Sequence, residues 1–196
     1  MIEKWTILGE KDVSPSKWFP VLQHKIRLVN DTVIDDYFIA PFGNVAMVLA
    51  ITKEEEVVFV RQYKHGTGEI LIELPAGFQQ ANKTIEESAL AELEEETGIK
   101  TSLTNLFSLG KIANNPTKTT HITYGFLARD LTFNSQQHFD ETEDIELVKI
   151  PCKSVLNSIR SGEIWVGDTV SFIMKASLMF PELFHPAEAT QNQRNI

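Results

Sequence analysis

The chain has 196 residues, 42% hydrophobic and 23% charged, which is enough to bury the core of one domain of ordinary composition. Its 18 basic and 27 acidic residues leave a formal net charge of −9, which argues against a duplex-DNA coat or an anionic-membrane binder and requires any phosphorylated ligand to be met by a metal or a local Lys/Arg patch. A single cysteine, Cys152, excludes an intrachain disulfide, and no apolar run approaches the roughly 18 residues of a membrane span. The opening Met1-Ile-Glu-Lys-Trp-Thr lacks a basic stretch followed by an apolar one, so no secretory signal is expected and the cytoplasm is the expected compartment.

Residues 1–20 are mixed and aromatic, with Trp5, Trp18 and Phe19. Two strand-like runs follow at 24–30 and 33–40, and the Asp31-Thr32 between them predicts a hairpin. Residues 43–52 form a near-continuous apolar run, the pattern of a strand buried on both faces. A charged turn at 53–56 leads into a strand at 57–63, and a short apolar strand at 70–74 ends at Pro75-Ala76-Gly77. The clearest helix lies at about 84–97. Ile85, Ala89 and Leu93 recur every four residues, Thr84 with Glu87 forms a capping box, and Gly98 stops the helix. Strands are expected at 107–113, 121–128 and 145–150, and helices at about 153–161 and 168–179. The pattern reads as an α/β sandwich, with the strands before Gly43 forming a separate small sheet and a polar tail at the end.

The chemistry concentrates on the central helix. Glu86, Glu87, Glu92, Glu94, Glu95 and Glu96 crowd it, and Glu92, Glu95 and Glu96 share one face at i, i+3 and i+4. Like charges so placed repel by a few tenths of a kcal/mol per pair, roughly, and the last two sit where the helix dipole disfavours anions. Either the face is simply solvated, the ordinary fate of a charge run, or a cation compensates it; hard divalent ions take carboxylate oxygens and keep waters for a substrate phosphate. The five histidines and one cysteine show no zinc spacing, and Gly66-Thr-Gly68 lacks the third glycine of a dinucleotide loop. His121 reads as a sheet residue, Asn114-Asn115-Pro116 as a turn, and Cys152 as a packing residue.

The stretch from Gly77 to Ile99 resembles the Nudix box. Gly77, Glu92, Leu93, Glu95, Glu96, Gly98 and Ile99 match in register, whereas Lys83 stands where the family has Glu and Ala91 where it has Arg. Glu73-Leu-Pro-Ala-Gly77, Val60-Arg-Gln-Tyr-Lys64, Pro116 and the acidic run Asp140-Glu-Thr-Glu-Asp-Ile-Glu146 resemble the ADP-ribose pyrophosphatase branch of that family. The resemblance implies an α/β/α Nudix sandwich, class α/β (α+β), with a mixed central sheet. It divides the chain into an N-terminal antiparallel strand arm that dimerises (1–42), the enzyme core (43–180) and a tail (181–196).

It further implies Mg²⁺, or alternatively Mn²⁺, held by Glu92, Glu95, Glu96 and the carbonyl of Ala76. Glu143 or Glu141 would act on the attacking water from the acidic loop, with Glu95 as the other candidate base. Lys64, Arg61 and Glu73 would contact substrate, although strand alternation lets only one of Arg61 and Lys64 face the site. The implied activity is hydrolysis of a nucleoside diphosphate sugar, ADP-ribose giving AMP and ribose 5-phosphate, in a homodimer that needs neither nucleic acid nor membrane. The rival reading is a Nudix-fold module that binds a nucleotide sugar and hydrolyses it poorly, because Ala91 cannot orient the glutamates.

Overall fold

The computed structural model describes residues 2–139 and 144–185. Strands β1 (Thr6–Asp12), β2 (Leu22–Arg27) and β3 (Val33–Ile39) form a small antiparallel sheet in the order β1-β2-β3. The expected hairpin joins β2 and β3, through a turn in which Asp31 takes a positive φ of 63°. β1 has no counterpart among the sequence expectations. All seven of its residues are exposed, so it lacks the alternation that marks a half-buried strand.

The larger sheet has seven strands: β4 (Val45–Thr52), β5 (Glu56–Lys64), β6 (Glu69–Glu73), β7 (Ala76–Phe78), β8 (Phe107–Ala113), β9 (Ile122–Leu131) and β10 (Glu146–Pro151). The order is β10-β5-β4-β9-β8, with β6 added to β5 and β7 to β4. β4 and β9 run parallel at the centre and the other pairings are antiparallel, so the sheet is mixed as expected. β4 meets β5 only at Ala50 and Ile51, while its other end, Val45 to Met47, pairs with β7. This divergence makes room for the functional cleft.

Helix α1 (Ile85–Thr97) covers one face of the sheet; α2 (Cys152–Ser161), α3 (Gly167–Met179) and the short α4 (Pro181–Phe184) cover the other. β4 shows why its sequence is apolar throughout. Met47, Leu49 and Ile51 enter the core under α2 and α3, while Ala46, Val48 and Ala50 enter the core under α1. Leu183 and Phe184 of α4 belong to the first of these cores, so the buried body runs past the expected domain end at residue 180. No helix among the described residues is long and apolar enough to cross a membrane.

Candidate active site

Helix α1 begins as its sequence dictates. The Thr84 hydroxyl accepts from Glu87 N–H at 3.1 Å, and the Glu87 carboxylate accepts from Thr84 N–H at 2.7 Å. Gly98 ends it in the left-handed conformation (φ 71°) and donates its N–H to the Glu94 carbonyl. Beyond it, residues 134–138 fold back over the helix C-terminus. Asn134 and Ser135 donate backbone N–H groups to the Gly98 carbonyl, His138 N–H bonds the Glu95 carbonyl at 2.8 Å, and the Gln137 amide bonds the Glu96 carbonyl at 2.7 Å. Carbonyls that a helix end leaves without intrahelical partners are thereby satisfied.

The glutamates separate by role. Glu87 caps the helix. Glu94 is not among the cleft's lining residues, and its hydrogen bond from Ser135 (2.7 Å), then that from Lys100 (3.2 Å), holds its carboxyl below the usual carboxylate range. Glu96 is buried, and its Oε2 accepts the Ala76 N–H at 2.9 Å, which ties the helix to β7. Glu92 and Glu95 line a cleft of about 1020 Å³.

Between these two carboxylates stands the side-chain amide of Gln80. Its Nε2 lies 3.3 Å from Glu92 Oε1 and 3.3 Å from Glu95 Oε2. Gln80 is held from behind: its N–H donates to Ser88 Oγ at 3.0 Å, and its Oε1 accepts from Lys83 Nζ. The carboxyl end of Glu92 also rests against Gly77, where a side chain would collide with it.

Val45 and Met47 of β4 line the cleft between two polar ends. At one end Lys64 pairs with Glu73 at 2.7 Å, and Glu73 also accepts from Gln62 at 2.8 Å. At the other, Asp168 in the first turn of α3 accepts from Asn114 (2.7 Å) and Thr123 (2.6 Å), and His121 Nε2 lies 3.1 Å from Thr123 Oγ1. His138 and Phe139 complete the lining.

Of the residues singled out in the sequence, the cleft brings together Lys64, Glu73, Ala76, Glu92 and Glu95. Arg61 is not among the residues that line the cleft; it pairs with Glu146 across the β5–β10 ladder at 3.0 Å. The opposite parity of positions 61 and 64 along β5 is the reason. Glu96 is turned to the Ala76 amide and does not line the cleft with the other two. Glu141 and Glu143 lie outside the described residues. Gln80, His121, His138 and Asp168 line the cleft without having been singled out as site residues, because they come from separate loops and helix ends that only the topology assembles.

The donor set suits a hard cation in chemistry but not yet in spacing. Two carboxylates converge on one nitrogen at 3.3 Å, where an ion of the magnesium type needs oxygens at about 2.0–2.1 Å. Among the described residues no three acidic, histidine or cysteine groups stand close enough to grip an ion as they are. A hydrogen-bond donor already sits between the two acids, so their oxygens are drawn toward a common point, and a cation bound beside them would need those flexible side chains to close further.

The NUDIX domain model matches residues 41–155, more than half of the chain, Glu73, Glu92 and Glu95 of the cleft included. The chain belongs to the NUDIX family. It is 28% identical over 178 residues to the ADP-ribose pyrophosphatase of Bacillus subtilis (strain 168), covering 90% of this chain and 94% of that one. It is 30% identical over 124 residues to the methanol dehydrogenase activator of Bacillus methanolicus, covering 63% and 66%. A solved structure described as an ADP compounds hydrolase superposes with a TM-score of 0.82 over 93% of this chain and 97% of that chain, at 22% identity, which speaks for the fold. This NUDIX chain is thus a hydrolase of the pyrophosphatase kind, related to ADP-ribose pyrophosphatase. Nudix hydrolases generally use divalent metals, which agrees with the acidic wall.

Proposed function

We propose that the chain hydrolyses the diphosphate of a nucleoside diphosphate sugar, with ADP-ribose as the leading substrate and AMP and ribose 5-phosphate as products, using Mg²⁺ or Mn²⁺. The observation that carries this reading is the pair Glu92 and Glu95, converging on one point in the wall of a cleft large enough for such a ligand. Glu92 and Glu95 would hold the metal, with the Ala76 carbonyl and Glu96 as the further family positions beside them. When bound, the metal supplies charge neutralisation at the diphosphate.

The chain's own groups account for the rest. Lys64 stands at the cleft with its charge already directed by Glu73, ready to meet a phosphate oxygen. Glu143, with Glu141 as the alternative, takes a proton from the attacking water. The water oxygen then bonds to phosphorus, the bridging P–O bond breaks, and the two monophosphates share the remaining negative charge. Glu95 is the base to consider if neither loop residue serves.

The working unit we propose is a homodimer in the cytoplasm. The small sheet and its flanking loop leave Trp5, Trp18, Phe19 and Phe38 exposed, and a second copy would cover apolar surface that a three-stranded sheet cannot bury by itself. A monomer in light scattering at micromolar concentration counts against it.

The experiment for the activity is a panel of nucleoside diphosphate compounds, each with Mg²⁺ or Mn²⁺, assayed for monophosphate release. Turnover of ADP-ribose at a rate above that of the other compounds is expected. Tight binding of ADP-ribose with no product under either metal replaces the hydrolase with a binding module.

A further inference from the structure

The Nudix box of this chain lacks the arginine that position 91 would supply and carries lysine at position 83. Carboxylates that must gather around one cation need donors behind them to hold their orientation, and the loss of such a partner typically costs about 10–100-fold in affinity or activity. In this chain the side-chain amide of Gln80 donates to both Glu92 and Glu95.

We infer that Gln80, oriented by Lys83, is the positioning residue that holds Glu92 and Glu95 ready for the metal in place of the missing arginine. The inference rests on the metal-site reading above. Gln80 Nε2 reaches Glu92 Oε1 and Glu95 Oε2 at 3.3 Å each, with the second Glu95 oxygen at 3.5 Å. Its orientation is fixed by chemistry. An ammonium can only donate and a carboxylate only accepts, so with Lys83 Nζ on Oε1 the NH₂ must face the two glutamates.

The backbone of the same turn is pinned as well. Gln80 N–H bonds the hydroxyl of buried Ser88, Lys83 N–H bonds the Gln80 carbonyl at 3.2 Å, and the Gln79 amide bonds the Lys83 carbonyl at 3.0 Å. Ser88 in turn donates to the Thr84 carbonyl at 3.0 Å, so the turn is tied to the capped start of α1. A lysine at position 83 therefore acts on the acids through one intermediary. A glutamate there could not donate to the Gln80 carbonyl oxygen, and the amide would lose the contact that aims it.

The test is Mn²⁺ binding to the full chain by electron paramagnetic resonance, with the melting temperature in EDTA recorded alongside. Gln80→Met keeps the side chain's bulk and removes the amide; its Mn²⁺ dissociation constant is expected to rise about 10–100-fold. Lys83→Met, at an exposed position that adds nothing to the core, should weaken Mn²⁺ in the same direction, and Lys83→Arg, which keeps a donor and a charge, should restore it. Equal or tighter Mn²⁺ binding in Gln80→Met makes the amide a place-holder that the cation displaces, and overturns the inference while leaving the metal site standing. A wild-type chain that binds no Mn²⁺ overturns both together. Unchanged affinity in Lys83→Met removes the lysine from the arrangement and the inference with it.

Discussion

Gly77 and Glu92 are packed so closely that a Cβ on Gly77 would lie 2.2 Å from the carboxyl carbon of Glu92 and 2.3 and 2.4 Å from its oxygens. The glycine is required by this approach rather than by its backbone angle, and the group that would have to give way is the end of a flexible side chain. Gly77→Ala should therefore fold, with a melting temperature near that of the wild type, but with Glu92 displaced from its place beside Gln80. The expected loss is about 10–100-fold in Mn²⁺ affinity and in the rate of diphosphate hydrolysis. Wild-type kinetics in this variant would show that the seat of Glu92 is not needed.

Gly125 of β9 makes the opposite kind of contact. A Cβ there would stand 2.2 Å from the ring of Phe172, a fully buried residue of α3. The ring cannot swing into solvent, so Gly125→Ala should push α3 off the sheet. Overpacking of this kind costs about 1–3 kcal/mol. The chain should melt several degrees lower, and because α3 carries Asp168 into the cleft, KM for substrate should rise as well. Phe172→Leu in the same chain should recover part of the melting temperature; no recovery would place the cost elsewhere.

How much of this was legible in the sequence depends on where each signal lies. β4 and α1 could be read because their signals are carried by consecutive residues: an unbroken apolar run for a strand buried twice, and a Thr84/Glu87 box closed by Gly98 for the helix. β1 could not, since Thr6 to Asp12 holds its place through ladder bonds to β2 and shows no buried face. The bracing of α1 by residues 134–138 is equally silent, because most of those bonds end on backbone carbonyls that any sequence possesses. Within the site, the i, i+3, i+4 spacing put Glu92, Glu95 and Glu96 on one side of the helix. It could not show that Glu96 is held by the Ala76 amide, or that the glutamine of a loop would stand between the other two.

Cys152 gives a prediction in pH. Burial, with the negative charge of Glu55 second, pushes its thiol up to about 11, from an ordinary value of 9.0. The unfolded chain then loses this proton before the folded one does. The stability the group contributes is complete below about pH 9 and falls as the pH rises toward 11. Denaturant midpoints should drop over that interval, and less so in Cys152→Ala. In native protein at pH 8 the thiol should resist a disulfide reagent and react only on unfolding. Rapid labelling of the folded chain would contradict the buried placement at the start of α2.

The last prediction separates holding the metal from activating water. Glu92 and Glu95 face the cleft on α1, so Glu92→Gln or Glu95→Gln should lose Mn²⁺ binding and hydrolysis together. Glu143 belongs to the run Asp140-Glu-Thr-Glu-Asp144, four of whose five residues are acidic; it follows directly on His138 and Phe139, which line the same cleft. The backbone of His138 is tied to the Glu95 carbonyl, so the described chain just before the acidic run is fixed against α1. Glu143→Gln should keep Mn²⁺ affinity on the α1 acids and lower the rate by about 10²–10⁴-fold, the range for removal of a general base. The pH–rate profile of that variant should lose its acid limb while the wild type keeps it. If Glu143→Gln and Glu141→Gln both turn over as the wild type does, the acidic run takes no part in proton transfer. Glu95 then becomes the base, and Glu95→Gln should lose more rate than its loss of metal explains.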